Sequence, residues 1–250
     1  MIQYSKSSVR IAEIHFDELP RPGLEADVIR YQWRFEKAPG TFSIPLQTRF
    51  VDLTEDPGKL LAGMNSATRN EVRRGYRDPI VVEFDANPTI ATAEEFYTFY
   101  DQFARAKKLP SANWMRLGSM QASGSLLLSR VKDTEGHVLV WHCYMRDRSR
   151  ARLLHSASIY RLNHAKERER LLSRANRHLH WRDMLALREL GVATYDFGGW
   201  YAGETDTAKL NVNIFKEGFG GRVVDLHNTY HGVTMKGRLA VQLHRWRGGE

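Results

Sequence analysis

The chain has 250 residues, 42% hydrophobic and 26% charged, which is enough apolar material for a sizeable core and unlike a disordered composition. The net charge is +8, and residues 146–188, with twelve Lys/Arg against four Asp/Glu, account for all of it. Such a field attracts RNA, nucleotide phosphates or an anionic membrane surface, or it decorates a solvated helix face. A lone cysteine, Cys143, excludes an internal disulfide. No apolar run approaches the roughly 20 residues that cross a bilayer, and no signal peptide opens the chain, so a soluble, cytoplasmic protein is expected.

Residues 1–79 read as a partial N-terminal α/β unit. Strands are expected at 9–15, 28–36 and 48–53, separated by the turns Pro20-Arg21-Pro22-Gly23 and Pro39-Gly40. A helix is expected at 60–76, with Leu60, Leu61, Met64, Ala67 and Val72 as an apolar stripe. Residues 80–250 read as a second unit. It opens with a strand at 80–84 and helices at 93–107 and 114–122. Strands at 126–132, 138–145 and 151–159 follow, then a long helix at 165–190 stopped by Gly191. A strand at 194–197, a helix at 207–216, a strand at 222–230 and a helix at 233–245 complete it. The β-α-α-β-β-β-α-β-α-β order of 80–230 is that of a GNAT-like α/β fold, a mixed twisted sheet flanked by helices.

Two segments carry chemistry. Tyr195-Asp196-Phe197-Gly198-Gly199 follows the end of the long helix, and Phe215-Lys216-Glu217-Gly218-Phe219-Gly220 follows it in turn. Glycines there either serve a tight turn or let a substrate approach bare backbone. Together the two segments resemble the paired signature of the FemABX-like peptidyltransferases, a GNAT-related family. Residues 64–75, which contain Arg69, Arg73 and Arg74, resemble that family's basic helix. The resemblance covers roughly residues 60–250. It implies transfer of an amino acid from aminoacyl-tRNA to an amine, typically on a peptidoglycan precursor. Two features depart from the pattern. The N-terminal unit is too short to be a complete second GNAT unit, which opens the choice of acceptor to other peptides and small molecules. The stretch 160–168 has no glycine, whereas acyl-CoA-binding GNAT enzymes hold the pyrophosphate on a glycine-containing turn there. An acyl-CoA-dependent N-acyltransferase and a non-catalytic RNA-binding module remain the alternative readings.

The reaction is attack of an amine on an activated carbonyl, which needs positioning, proton removal and oxyanion stabilisation. The resemblance places Lys216 at the oxyanion or the donor's terminal nucleotide. Asp196 would act as base or orient the amine. Gly198, Gly199, Trp200, Tyr201 and Phe215 would line the donor site, and Arg161, Lys166 and Arg168 would meet its phosphates. Arg69, Arg73 and Arg74 would hold the acceptor, since arginine suits bidentate oxyanion recognition. No cofactor is expected beyond the charged tRNA as co-substrate. No HExxH or Cys/His cluster exists, so no metal is expected, and His178 and His180, two apart, fall on different helix faces.

Overall fold

The structure is a computed structural model that describes residues 1–159 and 166–246. Its elements are β1 (Ile2–Lys6), β2 (Val9–His15), β3 (Val28–Arg34), β4 (Phe42–Asp52), α1 (Pro57–Gly63), α2 (Ser66–Gly75) and β5 (Ile80–Asp85). Then come α3 (Ile90–Lys107), α4 (Trp114–Ala122), β6 (Leu126–Asp133), β7 (Val138–Arg146), β8 (Arg150–Ser158) and α5 (Lys166–Glu189). The described chain closes with β9 (Thr194–Trp200), α6 (Thr207–Glu217), β10 (Arg222–Gly232) and α7 (Met235–Trp246).

All ten strands form one mixed sheet in the order β1-β2-β3-β10-β4-β9-β8-β7-β6-β5. Strands from both sides of residue 79 share it, because β4 lies between β9 and β10. Helices cover both faces. Along β6 and β7, Leu126, Leu128, Trp141, Cys143 and Met145 point to a core with Phe96 of α3 and Leu117 of α4. Leu127 and Tyr144 point the other way, to a core with Leu60 of α1, Val72 of α2 and Trp181, Met184 and Leu187 of α5. Burial on both faces explains why residues 126–128 and 138–141 read as continuous apolar stretches rather than alternating ones.

Three expectations are corrected. The helix expected at 60–76 is two helices. Met64 is extended (φ −72°, ψ 149°), and the side chain of Asn65 accepts a hydrogen bond from the Thr68 amide, capping a new helix. The strand at 2–6 was not expected; it is short and carries Gln3, Ser5 and Lys6 on its exposed positions. The strand expected at 194–197 runs to Trp200 through both glycines. Gly198 has φ +76°, and a Cβ there would lie 2.8 Å from the Leu153 carbonyl oxygen. Glycine is required for that conformation and that approach.

Candidate active site

β8 and β9 are parallel neighbours, but they pair only where Arg150, Ala151 and Arg152 meet Thr194, Tyr195 and Asp196. β8 runs on to Ser158 and β9 to Trp200 without pairing each other. Their ends splay into a V, and a cavity of about 580 Å³ opens there. β8 contributes Leu153, Ser156 and Ser158; α5 contributes Asn176, Arg177 and His180; α6 contributes Asn211, Phe215 and Lys216.

Lys216 is buried in this wall, and its ammonium donates to the Gly199 carbonyl, tying α6 to the end of β9. Burial, reinforced by Arg152, pushes its pKa down to about 8, while Asp196 acts in the opposite sense. An ammonium has three N–H donors and Gly199 takes one. The remaining two have no acceptor among the described residues.

Asp196 has no exposed surface. Its carboxylate accepts from Arg152 Nη1 at 2.8 and 2.9 Å, from the Gly198 amide at 2.9 Å and from the Thr48 hydroxyl. It therefore locks β4, β8 and β9 together beneath the V and does not line the cavity. A carboxylate so fully engaged is poorly placed to take a proton from a substrate.

The structure brings Lys216 and Phe215 to the cavity and ties Gly199 to its wall through the carbonyl that Lys216 binds, while Gly198 is buried against Leu153 and does not line it. It does not bring the other expected residues there. Trp200 lies under the Arg49 guanidinium, 5.2 Å from its ring centre, and Tyr201 packs with Lys209 at 5.2 Å. Lys166 and Arg168 are exposed on the first turn of α5, and Arg168 lines a separate groove with Asp78 and Asp133. Arg69 donates to the Ala62 carbonyl, Arg74 pairs with Glu71 at 3.6 Å, and Arg73 is exposed; none lines the cavity. These arginines lie on α2, whose other face buries Val72 and Gly75 against α5. Arg161 lies outside the described residues. The basic stretch is also not a single face: Arg150 and Arg152 are buried, and Arg174 is paired with Asp78 at 2.8 Å. Cys143 is fully buried and burial pushes its thiol far up, which removes it as a nucleophile.

The sequence reading missed a buried polar chain behind the cavity. His180 Nδ1 lies 2.6 Å from Tyr195 Oη, which lies 2.8 Å from Tyr144 Oη. Tyr144 donates to Asp183 Oδ2 at 2.6 Å. His142 Nδ1 meets the same carboxylate at 2.7 Å, and its Nε2 meets the Asn176 amide at 2.8 Å. A signal for part of this chain stands in the sequence. Asn176, His180 and Asp183 are spaced i, i+4 and i+7 on the face of α5 that also carries Leu172, Leu179 and Leu187. Polar residues at such spacing on a buried face need partners.

No protein-family model matches the sequence, and a search of the curated proteins returns no match. Solved structures do match. The structure of FemX superposes with a TM-score of 0.58 at 15% identity over 72% of this chain; the match spans 61% of the FemX chain. The C-terminal domain of a putative lysylphosphatidylglycerol synthetase from Agrobacterium fabrum gives 0.55 at 15% identity, covering 96% of this chain and 82% of that one. L-PGS from Bacillus licheniformis gives 0.57 at 12% identity, covering 98% and 84%. At these identities the likeness establishes the fold, which is FemABX/GNAT-like, as the element order of residues 80–230 leads one to expect.

Proposed function

We propose that this protein is an aminoacyltransferase that moves an amino acid from aminoacyl-tRNA to the amine of a peptide or small-molecule acceptor, forming an amide. The observation that carries the reading is the cavity between the unpaired ends of β8 and β9, with the Lys216 ammonium in its wall. A preorganised cation with two N–H groups to spare, held in a buried wall, suits an oxygen that becomes negative as the amine adds to the ester carbonyl. Arg177, whose guanidinium lies over the Phe215 ring 4.9 Å from its centre, lines the cavity with it, and such a stacked pair can take a terminal base. Asp196 and Arg152 fix the geometry from below rather than touching substrate. The donor ester is already activated, so positioning and charge stabilisation are the protein's main contribution. The reading needs no cofactor.

The test is transfer of a labelled amino acid from charged tRNA to an amine acceptor, with and without ribonuclease. Product that disappears on ribonuclease treatment supports the reading. Product that survives it, or that forms from acyl-CoA alone, overturns the choice of donor. Steeply salt-dependent binding of uncharged RNA without any turnover would mark a binding module instead.

A further inference from the structure

The chain behind the cavity has a direction that its chemistry forces. The Asp183 carboxylate can only accept, so the Tyr144 hydroxyl spends its one proton there. The Tyr144 oxygen then accepts from Tyr195, and the Tyr195 oxygen, its own proton spent, accepts from His180 Nδ1. His180 is thereby held with its proton on Nδ1 and a lone pair on Nε2. That nitrogen makes no hydrogen bond among the described residues, and the ring lines the cavity that Lys216 also lines. Phe197, Phe215 and Phe219 pack around the imidazole with ring centres 5.1 to 5.4 Å away, fixing its orientation.

We infer that His180 Nε2 is the general base of the transfer, and that Tyr195, Tyr144 and Asp183 are positioning residues that hold it in the proton-accepting tautomer. The inference rests on the proposed transfer reaction. The amine nitrogen attacks the ester carbonyl carbon, a C–N bond forms, and the nitrogen's proton passes to His180 Nε2. The tetrahedral intermediate then breaks its C–O bond, and the same proton passes from Nε2 to the departing ribose oxygen. Ester and amine become amide and alcohol, and His180 returns to its starting state. The logic is that of a serine-protease triad, lengthened by two hydroxyls between histidine and carboxylate. Asp183 acts on the ring only through the two hydroxyls, by fixing the direction of their hydrogen bonds. Burial first, and then His142 from β7, Lys216 from α6 and Arg177 from α5, push the imidazole well below its ordinary pKa, so it rests neutral and, once protonated, gives the proton up readily to the departing oxygen.

The experiment compares wild type with His180→Gln and Tyr195→Phe, each first shown to be folded by circular dichroism. Aminoacyl-tRNA and acyl-CoA are supplied as donors in parallel. Nitrogen-15 NMR of the histidines reads the tautomer. The expected results are a fall in kcat of about 100-fold or more for His180→Gln, with KM for the donor within about threefold. Tyr195→Phe should lower kcat about tenfold and shift His180 from the Nδ1–H form towards a mixture. A folded His180→Gln with kcat within about threefold of wild type overturns the inference. So does an Nε2–H tautomer in the wild type. If wild type uses acyl-CoA alone and His180→Gln abolishes that activity, the donor reading fails and the base stands. If wild type uses aminoacyl-tRNA and His180→Gln retains it, the donor reading stands and the base fails. If both donors give no product, the tautomer decides: Nε2–H rejects the inference, and Nδ1–H that is lost in Tyr195→Phe supports it.

Discussion

Replacing Lys216 with methionine should stabilise the fold while removing the proposed oxyanion contact. Methionine has nearly the same length and no charge, so it can fill the wall that Lys216 occupies at 8% exposure. The fall of the lysine from 10.5 to about 8 corresponds to about 3 kcal/mol of unfavourable ammonium burial at pH 7. Losing the hydrogen bond to the Gly199 carbonyl offsets about 1–2 kcal/mol of that. The net expectation is a variant about 1–2 kcal/mol more stable, or about 3–6 °C in Tm for a chain of this size. The pH dependence has a definite sign. Between pH 8 and 10.5 the unfolded lysine binds more proton than the folded one, so wild-type stability rises with pH and the gap narrows, closing near about pH 9.5. Urea unfolding followed by tryptophan fluorescence at pH 7 and pH 9.5 measures both quantities. A methionine variant less stable than wild type at pH 7, or a gap that does not change with pH, refutes the reasoning.

Arg152→Met should cost about 3–5 kcal/mol, because it leaves the fully buried Asp196 carboxylate without its cation; thermal unfolding measures it, and a loss below about 1 kcal/mol would contradict the assignment. Gly198→Ala should cost about 1–3 kcal/mol, since its φ of +76° and the nearby Leu153 carbonyl both exclude a Cβ, and amide-forming activity should fall with it. His155 is packed 4.3 Å from Tyr100 and its pKa is lowered to about 4, chiefly by burial. Below pH 6.5 the unfolded histidine takes up a proton that the folded one resists, so wild-type stability falls as the pH drops to about 4. His155→Leu should flatten that fall, as read from Tm against pH.

The elements from residue 80 onward were legible because their signals are local. Trp114–Ala122 is a short amphipathic helix between a capping asparagine and a turn, and it forms over the expected residues. Strands buried on both faces still announce themselves by apolar runs. The break at Met64 and Asn65 was less visible, since an apolar stripe passes through both helices and only the asparagine cap divides it. At the site, Lys216 and Phe215 were readable from their motif. Arg152 and Thr48 were not, because they reach Asp196 from strands 44 and 148 residues away in the chain. The basic stretch misled for a related reason. Net charge along the sequence does not distinguish an arginine in solvent from one such as Arg150, which lies 4.0 Å from the centre of the Phe16 ring and bonds the Trp33 carbonyl.

The position of β4 has a consequence for how the chain is made. Both of its sheet neighbours, β9 and β10, come late in the sequence. At typical synthesis rates the roughly 140 residues between Asp52 and Thr194 take on the order of 10–30 s to emerge. Throughout that interval an eleven-residue strand has both hydrogen-bonding edges open. Nascent chains should therefore reach the native sheet only after β10 leaves the ribosome, in a late, slow step dominated by distant pairings. Until then both edges of β4, and the edge of β3 that β10 later covers, stay open to wrong pairing.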